Sequence, residues 1–187
     1  NNFSFTDSKN TKAAIHIVRD PRNVVTSLSN HYQINKNEAF DFMKNEKKAL
    51  IEKKNNKFLG FVPLFSWKFH QESWSECKKF PVLTIRYEDL QADTFKTFKS
   101  ILNFLRDTTN SNIDINSDKI NQVIKSCEFE KLQKLEKDSG FKEALVSKKT
   151  NEKIKFFNLG KKNDFRNLLD KKMIIEMTEF YKDQIKK

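Results

Sequence analysis

The chain has 187 residues, enough for one domain, and its 18 phenylalanines can supply a hydrophobic core. Its net charge of +11 suits an anionic partner such as a nucleotide, a nucleic acid or an acidic glycan. Two cysteines are too few for a disulfide framework, and the three scattered histidines lack the spacing of a metal site. No apolar run reaches the roughly 20 residues that cross a bilayer, so we expect one domain without a membrane span or a metal, in the reducing cytoplasm.

Two short apolar runs predict buried β-strands, near residues 13–18 and 82–86. Both are rich in β-branched residues, and both stop abruptly at charged side chains. Each run is followed by a helical pattern, which favours an α/β fold whose parallel strands are joined by helical crossovers. Two strands cannot bury both faces of a parallel sheet, so we expect this sheet to be incomplete, with other strands supplied by sequence outside these residues or by another chain.

Helical periodicity accounts for most of the remaining chain. The first predicted helix has Asp20 as its N-cap and Pro21 in the first helical position, and it runs to about His31. Further helices are predicted from about Asn37 through Leu50, and over residues 64–77, 93–106, 117–126, 128–137 and 164–185. Residues 139–163 are polar, rich in Lys and weakly periodic, which indicates a long flexible loop or flap.

The end of the first strand carries the most informative group of residues. Arg19 stands at the carboxyl end of a strand and just before a helix N-terminus, where ligands of open α/β sheets bind. Its guanidinium offers a planar fork of donors that matches phosphate oxygens. Ser27 shares a helix face with Asn23 and Asp20, so its hydroxyl can point back toward the strand end. The spacing is compatible with a phosphate monoester site, and also with an Arg19 that pairs with a local carboxylate and a Ser27 that the helix merely tolerates.

Residues 15–27, Ile-His-Ile-Val-Arg-Asp-Pro-Arg-Asn-Val-Val-Thr-Ser, resemble the 3′-phosphate-binding signature of the sulfotransferases that use 3′-phosphoadenosine 5′-phosphosulfate (PAPS). In that family an Arg ends a strand and a Ser eight residues later completes the phosphate site; Arg19 and Ser27 occupy those positions. The resemblance implies a P-loop-NTPase-like parallel sheet flanked by helices. It also implies transfer of a sulfuryl group from PAPS to a hydroxyl or amine of a small-molecule or glycan acceptor, which leaves 3′-phosphoadenosine 5′-phosphate (PAP).

Later segments resemble the same family, in the family's order. Ser66-Trp67, His70 and Ser73-Trp74 resemble its Ser-Trp…His…Ser-Trp pattern. Tyr87, in Arg-Tyr-Glu-Asp-Leu, resembles the tyrosine that contacts the adenine; a plain half-buried tyrosine is the alternative. Phe129 resembles the aromatic residue of the Thr-Ser-Phe-Glu segment on the adenine side, although Cys127 and Glu128 stand where small hydroxyl residues are usual.

Residues 156–166 resemble the family's Arg-Lys-Gly-x-x-Gly-x-Trp loop, which folds over the 3′-phosphate. Gly160 matches the first glycine of that pattern. Asn158 and Leu159 replace the two cations, and Phe165 replaces the tryptophan. Lys161 or Lys162 is expected to supply the missing charge from a shifted position. Unless a lysine does so, we expect nucleotide binding to be weaker than is usual for the family.

The family's general base and its Pro-Lys-Ser-Gly-Thr-Thr-Trp-type loop lie upstream of the strand that ends in the phosphate-binding Arg. No such loop or base precedes Arg19, and neither His16 nor His31 suits that role, because one is inside the strand and the other ends a helix. The resemblance therefore assigns no catalytic residue here. We interpret residues 1–187 as a single sulfotransferase-like domain that lacks its N-terminal phosphate-loop segment, and expect that segment in further upstream sequence.

Two other functions fit the composition. A P-loop kinase for a small molecule would share the sheet, but it would need a Gly-x-x-x-x-Gly-Lys-Ser/Thr loop, ATP and Mg²⁺. A basic helical module would bind nucleic acid or an acidic glycan without catalysis, with an affinity that falls steeply with salt. The sulfotransferase interpretation expects no nucleic-acid partner.

Overall fold

The computed structural model describes residues 7, 9–54, 57–147 and 150–185. Its elements are, in chain order, β1 (Ala14–Val18), α1 (Pro21–Tyr32), α2 (Lys36–Lys44), β2 (Ala49–Lys54), β3 (Lys57–Pro63), α3 (Trp67–Ser75), β4 (Val82–Arg86), α4 (Tyr87–Ala92), α5 (Thr94–Thr109), α6 (Ser117–Ser126), α7 (Phe129–Ser139), α8 (Phe165–Leu168), α9 (Lys171–Phe180) and α10 (Lys182–Ile185), with a 3-10 turn at Gly160–Lys162. Two compact units divide the chain: Asn1–Arg19 with Glu72–Glu128, and Asp20–Gln71 with Phe129–Lys187. The interpretation of residues 1–187 as one domain stays a prediction.

The first unit contains the predicted parallel sheet. β1 pairs with β4 in register, with Ala14 opposite Val82 and Val18 opposite Arg86. The two carboxyl ends therefore lie at one edge of the sheet, and the α/β fold class is confirmed. The prediction of buried strands was wrong in part, because strand residues alternate between faces. In β1, His16 is 7% exposed and Ile17 is 55% exposed, and in β4 Ile85 is buried while Thr84 and Arg86 are exposed.

The core of the second unit packs α1 and α2 against α9. Val25 of α1, Phe40 of α2, and Met177 and Tyr181 at the end of α9 are at most 3% exposed. Helix α1 begins as predicted, because the Asp20 side chain accepts a hydrogen bond of 2.9 Å from the backbone N–H of Arg22 and Pro21 is the first helical residue.

The chain between α2 and α3 differs from the sequence prediction. The helix predicted from about Asn37 through Leu50 ends at Lys44, and Leu50 lies in β2, paired with Val62 of an antiparallel hairpin. Asn45 provides the local reason, since its side chain accepts from the backbone N–H of Lys47 at 2.9 Å and offers that N–H an alternative to the helix. The apolar residues assigned to a helix face thus belong partly to strands.

Two other predicted helices also differ from the structure. Helix α3 begins at Trp67 rather than at 64, because Phe65 has a φ of 58° and Ser66 accepts from the backbone N–H of Phe69. The single helix predicted over 164–185 is divided into α8, α9 and α10; Asp170 accepts from the backbone N–H of Met173 and starts α9 as an N-cap. By contrast, α6 occupies the predicted range of 117–126.

The predicted loop 139–163 is ordered in part. Val146 and Lys153 form an isolated antiparallel bridge, and the backbone N–H of Ile154 donates to the carbonyl of Leu145 at 2.7 Å. Residues 148 and 149 lie outside the described residues. That the loop moves as a flap stays a prediction.

Candidate functional site

Arg19 and Tyr87 lie together at the carboxyl edge of the first unit's sheet. The Cζ atom of Arg19 is 4.3 Å from the centroid of the Tyr87 ring, a cation–π contact. The Gln91 side-chain amide is 3.4 Å from the Tyr87 hydroxyl and donates to it. The sequence assigned Arg19 and Tyr87 separately, to a phosphate and to an adenine. The pairing of β1 with β4 brings the two side chains into contact, because Arg19 follows one strand and Tyr87 follows the other.

Ser27 lies on the exposed side of α1 in the second unit. Its Oγ accepts a hydrogen bond of 2.7 Å from the side-chain amide nitrogen of Asn163. Ser27 makes no other side-chain hydrogen bond with a described residue, so its own proton is not donated within that part of the chain. A hydroxyl in this state can donate to an external anion.

Asn163 is a residue that the sequence analysis did not single out. Its side chain is 7% exposed and contacts three positions of α1: Nδ2 donates to the carbonyl of Asn23 at 3.1 Å and to Ser27, and Oδ1 accepts from the Thr26 hydroxyl. The backbone N–H of Phe165 donates to Asn23 Oδ1 at 2.8 Å. Residues 163–165 are therefore held on α1 by polar side chains. The sequence feature that could have identified Asn163 is its position, because it stands where the loop pattern has its second glycine.

Gly160 and Phe129, two predicted site residues, are in direct contact. Gly160 has a φ of +55°, and a Cβ added there would lie 2.7 Å from Cε1 of the Phe129 ring. No L-residue side chain fits at that distance, and the left-handed backbone also favours glycine. Phe129 in turn meets the Phe157 ring edge-on, with 6.3 Å between centroids. The start of α7 therefore supports the loop that contains Gly160.

Helix α7 also binds that loop by hydrogen bonds. Glu136 accepts from the backbone N–H groups of Phe156 and Phe157, at 2.7 and 3.0 Å. The Gln133 amide donates to the carbonyls of Phe157 and Asn158, at 2.8 and 3.0 Å. Together Gln133 and Glu136 bind two backbone donors and two backbone acceptors of residues 156–158, which precede the turn that contains Gly160. Sequence patterns gave no sign of these contacts.

Lys161 and Lys162 belong to the 3-10 turn and are exposed. Neither forms an ion pair with a described residue. Their assignment as phosphate ligands is not tested by these contacts. Nearby, hydrogen bonds from the side chain and the backbone of Arg166 lower the pKa of Asp164, so this carboxylate stays ionised at neutral pH.

Two histidines and both tryptophans make ring contacts within their units. His16 is buried and stacks on Trp74 at 6.2 Å within the first unit, as expected for a strand residue. His31 meets the edge of Tyr32 at the end of α1, and Trp67 meets the edge of Tyr181 at 5.0 Å in the second core. In the described ranges, no cluster of three or more His, Cys, Asp or Glu side chains is placed to hold a metal. No helix among them has the length and apolar character of a membrane span.

A cleft of about 610 Å³ lies beside α7 in the second unit. Four lysines line it, two from α7 and two from the segment that follows residue 150, and none of them forms an ion pair with a described residue. Aromatic rings complete its lining. The residues concerned are Lys134, Lys137, Lys153, Lys155, Phe141 and Phe157. The cleft therefore carries four positive charges, with Glu136 as the acidic residue of its lining.

Comparisons with known proteins identify the family and the fold. The family model described as "Sulfotransferase domain" matches residues 4–187. Luciferin sulfotransferase of Photinus pyralis is 24% identical over 174 residues, which cover 91% of this chain and 44% of that protein. The crystal structure of mouse sulfotransferase SULT7A1 complexed with PAP matches with a TM-score of 0.56 and 19% identity, over 91% of this chain and 57% of that one, and this likeness shows the fold. The chain thus spans about half the length of these relatives, and it belongs to the sulfotransferase domain family.

Proposed function

We propose that this protein is a sulfotransferase that uses PAPS as its sulfuryl donor and a hydroxyl or amine compound as its acceptor. The observation that carries the proposal is the match of the sulfotransferase domain over residues 4–187. The Arg19–Ser27 motif lies inside the matched range, and the relative whose structure was solved was crystallised with PAP. Family membership favours this function over that of a P-loop kinase.

In the first unit, Arg19 is proposed to bind the 3′-phosphate of the nucleotide. A guanidinium matches phosphate oxygens with two parallel N–H donors, and a charge-assisted contact of this kind contributes about 1.5–3 kcal/mol. Tyr87 supports Arg19 through its ring at 4.3 Å and is itself proposed to contact the adenine. Their contact restricts the rotamers of the long arginine side chain and so lowers the entropy lost when the ligand binds.

In the second unit, Ser27 is proposed to donate its hydroxyl proton to a phosphate oxygen of the nucleotide. Phe129 is proposed to contact the adenine side of the nucleotide, and Gly160 and Lys161 to contribute a backbone approach and a positive charge. Support for these roles comes from the exposed Ser27 hydroxyl, whose Oγ accepts from Asn163 at 2.7 Å, and from the close packing of Phe129 on Gly160.

The proposed reaction is an in-line displacement at sulfur. The acceptor oxygen or nitrogen forms a bond to sulfur, the bond from sulfur to the 5′-phosphate oxygen breaks, the acceptor proton passes to a base, and PAP leaves. The residues assigned here bind the nucleotide, and none is assigned as the base. The acceptor class is open among carbohydrates, lipids, phenols and small alcohols. We place the protein in the cytoplasm, where Cys77 and Cys127 would remain thiols, as they are in this structure.

Calorimetric titration of the purified protein with PAP, adenosine 5′-phosphate and ATP tests the proposal. We expect PAP to bind most tightly, without a metal, because only PAP carries the 3′-phosphate. Arg19→Ala should weaken PAP binding about tenfold to a hundredfold, the equivalent of one lost charge-assisted contact. Arg106→Ala is the matched control, since Arg106 is an exposed arginine of α5 whose partner is its neighbour Asp107. Equal affinity for PAP and adenosine 5′-phosphate would contradict the proposal.

A second candidate function is the binding of an acidic glycan without catalysis, and the cleft beside α7 is the observation that favours it. Its four lysines, which form no ion pair with any carboxylate of the described ranges, would give an affinity that falls steeply with salt. Titration with a sulfated oligosaccharide decides between the two functions. Loss of affinity in the Lys153→Ala, Lys155→Ala double variant, together with no effect of Arg19→Ala on either ligand, would favour glycan binding.

A further inference from the structure

The side-chain amide of Asn163 has one defined orientation. The carbonyl oxygen of Asn23, 3.1 Å from Asn163 Nδ2, can only accept, so the NH₂ group must face it. On the other side, Oδ1 accepts from the hydroxyl of Thr26. Exchange of the amide oxygen and nitrogen would set two acceptors against each other at Asn23. Asn163 is 7% exposed, so water does not compete strongly for these groups.

This orientation directs the second N–H of Asn163 to Ser27. The distance from Nδ2 to Ser27 Oγ is 2.7 Å, so the serine oxygen acts as an acceptor in this contact. A serine inside a helix commonly donates its proton back to the carbonyl four residues earlier, which for Ser27 is the carbonyl of Asn23. That oxygen already accepts from Asn163 Nδ2 at 3.1 Å, and as a carbonyl of α1 it also accepts from the backbone N–H four residues later, so both of its lone pairs are used. The usual internal acceptor of the Ser27 proton is therefore occupied.

We propose that Asn163 is a positioning residue that makes Ser27 a hydrogen-bond donor toward the 3′-phosphate. A phosphate oxygen only accepts, so it gains from a hydroxyl whose proton points outward, and it is repelled by a hydroxyl whose proton is donated inward. Asn163 thereby favours a nucleotide with a 3′-phosphate over one with a 3′-hydroxyl. This inference rests on the proposed function of Ser27, and it concerns a position that the family's loop pattern gives to glycine.

The ratio of PAP affinity to adenosine 5′-phosphate affinity measures this effect. The two nucleotides differ in the 3′-phosphate, so a change that only loosens the fold alters both affinities and leaves their ratio unchanged. Ser27→Ala should lower the ratio about tenfold, the equivalent of one hydrogen bond to a charged group. Asn163→Ala frees the Asn23 carbonyl for the Ser27 proton and should lower the ratio by a similar factor. In a protein that already carries Ser27→Ala, Asn163→Ala should have no further effect on the ratio of the two affinities.

Asn163→Asp keeps the shape of the side chain and removes both N–H donors. The carboxylate accepts the Ser27 proton and adds a negative charge, so the ratio should fall further than in Asn163→Ala. Asn167→Asp, an exposed residue of α8, is the matched control for the added charge and should leave the ratio near that of the unmodified protein. Binding of adenosine 5′-phosphate to each variant shows that the variant is folded.

The outcomes separate the inference from the function on which it rests. If Ser27→Ala leaves the ratio unchanged, the proposed role of Ser27 is wrong. If Ser27→Ala lowers the ratio but neither Asn163 variant does, the positioning role of Asn163 is wrong. The same conclusion follows if Asn163→Ala lowers the ratio equally with and without the Ser27 hydroxyl. In both cases the proposed nucleotide site stands.

Discussion

The ring of Phe129 occupies the space that a side chain at Gly160 would need. A Cβ at residue 160 would lie 2.7 Å from two atoms of this ring, and the φ of +55° there is one that glycine adopts without strain. Two positions 31 residues apart in sequence are thus interdependent, which ties the start of α7 to the loop that follows it.

Gly160→Ala tests this dependence. The left-handed backbone alone costs an alanine about 1–2 kcal/mol, and displacement of the ring adds to it, so we expect a loss of about 2–4 kcal/mol in the free energy of unfolding. Urea denaturation measures the change. Gly60→Ala is the control, because a Cβ at residue 60 would have no atom within 4 Å, and its effect should be small. Equal effects of the two substitutions would contradict the account.

Tyr87→Phe and Tyr87→Leu separate the ring of Tyr87 from its hydroxyl. The cation–π contact at 4.3 Å to Arg19 needs only the ring, so Tyr87→Phe should retain most of the PAP affinity. Tyr87→Leu removes the quadrupole that attracts the guanidinium and should weaken PAP binding about threefold to tenfold. Calorimetry with PAP measures both. A larger loss in Tyr87→Phe would show that the hydroxyl, rather than the ring, is what matters.

Tyr181→Phe should leave the protein at least as stable as before. The Tyr181 hydroxyl is fully buried and has no hydrogen-bond partner among the described residues, so its removal relieves an uncompensated desolvation cost. We expect the free energy of unfolding to rise by as much as about 1 kcal/mol at pH 8. A loss of more than that in urea denaturation would indicate that the hydroxyl has a partner.

The buried Tyr181 hydroxyl should also make the stability of the protein depend on pH. Burial raises the pKa of Tyr181, so the folded protein keeps this proton at a pH where the unfolded chain, with a tyrosine pKa of about 10, releases it. Titration of Tyr181 therefore does not affect the free energy of unfolding below about pH 10 and lowers this free energy above pH 10. The free energy of unfolding, measured by urea denaturation, should therefore fall more between pH 8 and pH 10.5 for the unmodified protein than for Tyr181→Phe. Parallel declines would mean that Tyr181 titrates normally.

Glu136→Gln tests the attachment of the loop to α7. The carboxylate accepts from two backbone N–H groups at 2.7 and 3.0 Å, and a neutral amide offers only one oxygen and brings an N–H toward the other donor. We expect the Phe156 and Phe157 amides to exchange with solvent at least tenfold faster, as measured by hydrogen exchange. Glu143→Gln, at an exposed position of the same loop, should leave their exchange unchanged.

The sequence predicted well those features of the fold that depend on residues close together in the chain. The start of helix α1 was predicted because Asp20 and Pro21 act within one turn of the chain. The strand ends at Arg19 and Arg86 followed from the abrupt change in polarity there. Where periodicity was ambiguous the prediction failed, as in the hairpin that contains Leu50, since alternation and helical spacing overlap in short apolar runs.

The sequence alone determined the family motif, the α/β class and the residue types proposed to hold a phosphate. Only the tertiary structure decided how those residues are supported. Asn163 is 136 residues from the serine to which it donates, and Arg19 and Tyr87 meet because two strands pair. Such contacts leave no periodic signal, because hydrogen-bond partners are selected by proximity in the folded chain and not by spacing along it.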